Sequence, residues 1–233
     1  IFNGDGSDEV TGGYMYMHAA PSEVAFDDEC RRLLEQIHTF DVLRSDKSVS
    51  SNGLEPRTPF LDKEFINMYL SLPIQHRYHP GNNQCEKYLL RKAFSDKNLL
   101  PECVLWRTKE AFSDGVSKHS KSWYEVISEK INEKESCKLL VNSIINYDHN
   151  TPSTNEQRYF RAIFERSYKN LGRIIPHFWM PKFVNASDSS ARTLKLYNSV
   201  NNNSVVPRSD NLEQWQVENA IIAVFLLILE IFL

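Results

Sequence analysis

Apolar residues recur at helical spacing through most of this chain. Phe26, Cys30, Leu33, Leu34 and Ile37 fall on one helical face, and neither Pro nor Gly interrupts the sequence from Ser22 to Asn52. Phe65, Tyr69 and Leu72 mark another helix, closed by Pro73. Tyr88, Leu89, Lys92 and Ala93 belong to a third, which ends before Pro101. Thr151-Pro152 is a start signal, an N-cap followed by proline at the first helical position. Tyr159, Phe160, Ile163 and Phe164 then give that helix its buried side. Clear two-residue alternation is scarce, so the pattern predicts a mostly helical chain after its first residues.

Those first residues break the pattern. Ile1 and Phe2 run into Asn3-Gly4-Asp5-Gly6-Ser7-Asp8-Glu9. Ser7 is predicted to cap a helix with Asp8 and Glu9 in its first turn, running toward His18 and stopping before Pro21. A strand, a glycine loop and a helix start form a natural cradle for phosphate. Gly4 and Gly6 permit positive φ and let backbone N–H groups approach an anion, and the helix points its positive end there. Asp5 and Asp8 would repel a bare phosphate, and bound Mg²⁺ resolves the conflict by taking carboxylate and phosphate oxygens together. The bland alternative is an ordinary helix-capping turn.

Three later segments carry chemistry-bearing residues. Leu54 to Asp62 packs Glu55, Arg57 and Asp62 around a turn with Pro56 and Pro59. Trp106 to Gly115 puts Arg107 and Lys109 beside a Ser113-Asp114-Gly115 turn. Trp179 to Lys182 with Asn185 to Leu194 is the third. Each alone reads equally well as a capped turn or a solvated charge pair.

Composition narrows the field. The chain has 233 residues, 41% hydrophobic and 24% charged, an ordinary soluble composition with room for one sizeable core or two small ones. A net charge of −3 and a pI of about 6.2 give no field for nucleic acid or an anionic membrane. Cys30, Cys85, Cys103 and Cys137 share no C-x-x-C spacing, so reduced thiols are expected rather than a zinc or redox motif. From Asn198 the chain turns polar and Asn-rich. We read residues 1–197 as one domain, 198–219 as a linker and 220–233 as an apolar tail. The apolar run from Ala220 to Leu229 is about half the ~20 residues a bilayer-spanning helix needs, so a membrane anchor is disfavoured.

Taken together, these segments resemble the C-terminal, synthetase half of the glutamine-dependent asparagine synthetases of eukaryotes. That family usually reads Ser-Gly-Glu-Gly-Ser-Asp-Glu where this chain has Asn3 to Glu9. It reads Leu-Glu-x-Arg-x-Pro-Phe-Leu-Asp at Leu54 to Asp62, and Trp-Arg-x-Lys-Glu-x-Phe-Ser-Asp-Gly at Trp106 to Gly115. Phe40-Asp41-Val42-Leu43-Arg44 and Leu70-Ser71-Leu72-Pro73 agree as well. The resemblance covers about residues 1–197, and the related β-lactam synthetases are a poorer match.

The resemblance implies an α/β fold of the PP-loop pyrophosphatase type. This chain would enter it at a late sheet strand, Ile1-Phe2, and would be α-rich with few strands and marginal stability. It implies ATP and Mg²⁺ as cofactors, and aspartate and ammonia from glutamine as substrates. Aspartate would be activated as β-aspartyl-AMP before ammonia attacks. An N-terminal glutaminase domain would supply the ammonia, and a cytoplasmic homodimer is implied for the full-length enzyme. By motif position, Asn3 and Gly4 contact ATP. Asp5 and Lys109 act in catalysis, and Asp8 holds the metal. Arg57 and Asp114 are weaker candidates. Arg57 is as readily explained by pairing with Glu55 or Asp62.

Two departures qualify this expectation. Asn3 and Asp5 stand where the family has Ser and Glu, and Asp is one methylene shorter. A misplacement of about 1 Å costs on the order of a hundredfold in rate. The chain also contains neither the Ser-Gly-Gly-x-Asp-Ser pyrophosphate loop nor the N-terminal Cys nucleophile. The expected function is therefore asparagine synthesis by a complete enzyme, with this fragment inactive alone. The alternative is a non-catalytic remnant serving as a binding module.

Overall fold

The computed structural model describes residues 1–97, 99–107, 109–111, 121–142, 147–186, 189 and 194. The apolar tail, Asp114 and most of Asn185 to Leu194 lie outside them. Two compact units are present, Ile1–Lys109 and Glu110–Lys195. Among the described residues the fold is helical. Its one β feature is an isolated parallel bridge between Phe2 and Arg57, in which Arg57 N donates to Ile1 O and Asn3 N to Arg57 O.

The first unit carries α1 (Ser7–Thr11), α2 (Glu23–Gln36), α3 (Asp41–Ser50), α4 (Lys63–Ser71), α5 (Ile74–Arg77), α6 (Tyr88–Ser95) and α7 (Glu102–Leu105). The expected first helix does not reach His18. Gly12 takes φ 65° as the C-cap of α1, Gly13 N closes on Asp8 O, and the chain continues as a 3-10 turn over Met15–Ala19. Nor does Ser7 cap it. Gly6, at φ 86°, is the N-cap residue, and no side chain caps this end.

Elsewhere the apolar pattern matches the helices. Ser22 caps α2 by accepting from Ala25 N, and Phe26, Cys30 and Leu33 are buried on its face. Asp62 caps α4 by accepting from Glu64 N and Phe65 N, and α4 ends just before Leu72-Pro73. Val10 of α1 packs with Phe60, Phe65 and Tyr69, flanked by Leu34, Leu89 and Leu90. Burial of side chains this size contributes about 1.5–3 kcal/mol each. Two motifs of the sequence meet here. A Cβ on Gly6 would lie 2.2 Å from Leu61 Cδ2, so the glycine loop sits directly on the Leu54 to Asp62 turn.

The second unit holds α8 (Trp123–Glu133), α9 (Glu135–Val141) and α10 (Asn155–Ser167), each packed on the other two. A capping box starts α8. Ser122 Oγ accepts from Glu125 N, and the Glu125 carboxylate accepts from Ser122 N. The expected start at Thr151-Pro152 is displaced. Thr154 is the N-cap of α10, while Thr151 Oγ1 donates to Tyr147 O. The buried side differs too. Phe160 and Ile163 are exposed, and Arg161 and Ala162 face inward. The Arg161 guanidinium compensates for its burial by pairing with Glu165 at 2.9 Å and donating to His149 O at 3.1 Å. All four cysteines are free thiols. No described helix is long and apolar enough to cross a membrane.

Candidate functional site

Asp8 is the centre of the charged residues around the glycine loop. It projects from the first turn of α1 and faces two lysines from distant parts of the first unit. Lys87 Nζ lies 2.9 Å from Asp8 Oδ1, and Lys109 Nζ lies 2.8 Å from Asp8 Oδ2. All three side chains are largely sheltered, at 18–20% exposure. Burial alone would raise the Asp8 pKa, but the two ammonium groups outweigh it and hold the carboxyl well below the usual carboxylate range. Burial likewise disfavours the Lys109 charge, yet Asp8 beside it raises the lysine above its ordinary value. One carboxylate thus serves two ammonium groups, and positive charge is in excess within this triad.

Local backbone makes room for the triad. A Cβ on Gly13 would sit 2.2 Å from Asp8 Oδ1 and 2.5 Å from Lys87 Cε. Only a residue with no side chain lets that ion pair close. Lys87 itself holds a left-handed backbone, φ 58° and ψ 24°, as the N-cap of α6. Its ammonium also donates to Ser7 Oγ at 2.9 Å.

Asp5 belongs to a second cluster. Its Oδ2 accepts from Ser45 Oγ of α3 and from Asn3 Nδ2, the latter at 3.0 Å. Asp5 N in turn donates to Asn3 Oδ1 at 3.2 Å. The Asn3 amide therefore holds Asp5 twice, donating to its carboxylate and accepting from its backbone N–H. Of the two glycines that permit positive φ, only Gly6 adopts it. A Cβ on Gly4 would meet nothing within 4 Å.

A third cluster lies behind Asp8. Tyr14 Oη stands 2.6 Å from Glu9 Oε1 and 2.7 Å from Asp41 Oδ2, and Arg44 pairs with Asp41 at 2.5 Å. The Lys109 ammonium sits 5.9 Å from the Tyr14 ring centroid. Burial, reinforced by Asp41, pushes the Glu9 carboxyl up to about 8. Its folded pKa exceeds the ordinary value, so the folded state binds the extra proton between about pH 4.5 and 8. Its contribution to stability is full below that window and lost as pH rises through it. Glu9→Gln is expected to raise the melting temperature relative to wild type at pH 9 and to lose that advantage at pH 4.5. Parallel thermal melts at the two pH values measure this, and a gap independent of pH contradicts it.

The structure brings Asp8 and Lys109 together across the chain, while Asn3 and Asp5 lie in the loop leading into α1 and form a cluster of their own with Ser45. The Arg57 side chain is not among them. It is exposed and pairs with Glu55 at 3.0 Å, while its backbone fixes the Ile1–Asn3 segment. Asp114 lies outside the described residues. Sequence reasoning missed Lys87, Ser45, Tyr14, Glu9 and Asp41 as site members. Glu9 and Asp41 stood in segments already singled out, whereas Lys87 opens an unremarkable helix with no local signal.

Comparison with known proteins agrees with the motifs. The family model described as asparagine synthase matches residues 18–173. The chain is 48% identical over 199 residues to the glutamine-hydrolysing asparagine synthetase of Gallus gallus and 46% identical to that of Homo sapiens. It is 45% identical to that of Bos taurus over 197 residues. The first two matches cover 85% of this chain and 35% of the relative. The chain thus spans about a third of the length of these relatives.

Proposed function

This chain belongs to the asparagine synthase family, and from that premise we propose that it forms one wall of an ATP-dependent adenylation site that converts aspartate to asparagine. The finer fold assignment, a PP-loop pyrophosphatase sheet elaborated by helices, rests on the same membership. In this reading aspartate attacks the α-phosphate through its side-chain carboxylate, giving β-aspartyl-AMP and pyrophosphate. Ammonia released from glutamine elsewhere in the complete enzyme then displaces AMP. Charge grows on the α-phosphate and on departing pyrophosphate as the bond breaks, so preorganised cations are what the step demands.

The observation that carries the reading is the Asp8–Lys109 pair, which joins two motifs 101 residues apart at 2.8 Å. Lys109 is assigned to the developing phosphate charge. Asn3 and Gly4 are assigned to ATP. Asp5, fixed by Asn3 and Ser45, is assigned to forming and using the acyl-adenylate, with its carboxylate taking the proton that nitrogen must lose for ammonia to become the amide. We extend the one-domain reading of residues 1–197 to this function, with 198–233 outside it. Arg57 acts through its backbone, and Asp114 is retained on motif position alone.

Magnesium accompanies ATP in such chemistry, and Asp8 is the residue the sequence assigns to it. Both Asp8 oxygens face ammonium groups, so the residues as arranged do not fit a magnesium ion. Lysine charge is what this wall offers to phosphate.

The purified chain is expected to bind ATP and pyrophosphate in calorimetric titrations. It is expected to show no aspartate-dependent ATP–pyrophosphate exchange alone. Exchange by the isolated chain would overturn its inactivity as a fragment. Absence of binding to either phosphate compound would overturn the adenylation-site reading and favour the non-catalytic module.

A further inference from the structure

Two histidines and a glutamate pack together in the first unit, apart from the Asp8 triad. His79 and Glu86 are each 1% exposed. His18, from the 3-10 turn Met15–Ala19, brings its Nε2 to within 2.8 Å of Glu86 Oε1. The His18 ring meets the His79 ring edge-on, centroids 4.9 Å apart, and Phe26 of α2 meets the same ring at 5.2 Å. Among the described residues, neither ring nitrogen of His79 has a hydrogen-bond partner, and nor does Glu86 Oε2. A buried imidazole without a partner costs stability, so packing alone does not account for a histidine here.

We propose that His79 is the sensor of an acid-opened latch, which holds the start of α6 against the Met15–Ala19 turn while the imidazole is neutral and releases it when the imidazole takes a proton. The latch is independent of the adenylation reading.

His79 is placed to move this segment. Its carbonyl accepts from Asn82 N at 3.2 Å and from Gln84 N at 3.1 Å, so the buried ring anchors the turn that leads to Glu86 and Lys87. That turn packs on Met15–Ala19. Lys87 follows Glu86 directly and pairs with Asp8, so opening of the latch slackens the Asp8 triad.

The charges around the ring favour its neutral form. The Met15–Ala19 turn contributes His18. The α6 side contributes Glu86, whose carbonyl accepts from Arg91 Nε at 2.8 Å, and Lys109 adds positive charge toward Glu86. On α2 and α5, Asp27 and Arg77 are paired with one another at 2.7 Å. Burial, then His18, pushes the His79 imidazole down to about 3, against the opposing pull of Glu86. In the open segment the ring returns toward its ordinary 6.5. The closed latch thus excludes a proton that the open one binds. Its stability is full above about pH 6.5 and is lost as pH falls from there toward 3. At pH 5 the open population should be about thirtyfold larger than at pH 7.5.

Hydrogen exchange of the full chain, read by mass spectrometry at pH 7.5 and pH 5 and corrected for intrinsic rates, tests the latch. Wild type is compared with His79→Leu, His79→Gln and Glu86→Gln. Opening over residues 15–19 and 82–92 of wild type is expected to rise about thirtyfold at the lower pH, with α4 changing far less. His79→Leu and His79→Gln remove the titrating ring and should abolish most of the rise. Leu suits the apolar neighbours and Gln keeps a polar group, so one serves if the other folds poorly. Glu86→Gln leaves the sensor in place and should retain the rise. A purely structural His79 makes a different forecast, in which its loss shifts exchange equally at both pH values. Opening in wild type that ignores pH, a rise that survives both His79 substitutions, a rise lost in Glu86→Gln, or a rise shared evenly by α4 would overturn the latch. These readouts involve no phosphate, so none of them bears on the adenylation site.

Discussion

Replacing Phe26 by alanine is expected to remove about 3–5 kcal/mol from the stability of the first unit. Phe26 is fully buried. Its ring makes edge contacts with Tyr78, centroids 5.5 Å apart, and with His79 at 5.2 Å. Gly12 closes over it so tightly that a Cβ there would lie 2.1 Å from Phe26 Cζ. With the backbone at φ 65° on one side and two aromatic rings on the other, the site has little room to collapse. That places the loss toward the upper part of the range, since residual cavity volume sets the cost. For a unit of about 100 residues each kcal/mol shifts the melting temperature by about 4–8 °C. A loss of 12 °C or more is expected, and urea denaturation measures the free energy directly. A loss below about 1.5 kcal/mol would mean that Phe26 is not a centre of this core. The consequence reaches the site, because Gly12 precedes the Gly13 that accommodates Asp8 and Lys87.

The helical faces were legible in the sequence because apolar spacing alone decides them. Phe26, Cys30 and Leu33 lie inside α2 as expected, and Phe65 and Tyr69 lie inside α4. The failures have specific causes. The first helix was expected to reach His18, but Gly12 offered a left-handed stop that hydrophobic spacing does not register. On α10 the aromatic stripe was taken as the buried side, whereas a buried arginine with its own carboxylate and carbonyl partners took that position. Within the candidate site, Asp5 and Lys109 were nameable because they sit in motifs. Lys87 was not, because its place depends on a tertiary contact 79 residues from Asp8 and on a backbone angle rare for lysine. Asn3 and Asp5 departed from the family pattern separately on paper. In three dimensions they depart together, since Asn3 is one of the two residues, with Ser45, that hold the shortened Asp5 carboxylate.

Asp8→Asn is expected to separate stability from phosphate affinity. The amide keeps the size of Asp8 and removes the charge, leaving Lys87 and Lys109 close together with no anion between them. Breaking a fully buried pair costs about 3–5 kcal/mol. With 18–20% of each side chain exposed, solvent screening reduces this to about 2 kcal/mol. The pH dependence has a definite sign. Asp8 is held below its ordinary value of 3.8, so its contribution is present above that pH and is lost as pH falls below it. The gap between wild type and Asp8→Asn should therefore be full at pH 6 and shrink below about pH 3.8. Pyrophosphate affinity should move the other way. Removing the competing carboxylate lets the lysines meet phosphate without first leaving a partner, and binding is expected to tighten about tenfold. Pyrophosphate should then raise the melting temperature of Asp8→Asn more than that of wild type. If Asp8 instead ligated a metal that carries the phosphate, the same substitution would weaken binding in the presence of magnesium. The sign of the change, read with and without magnesium, decides between a counter-ion and a ligand.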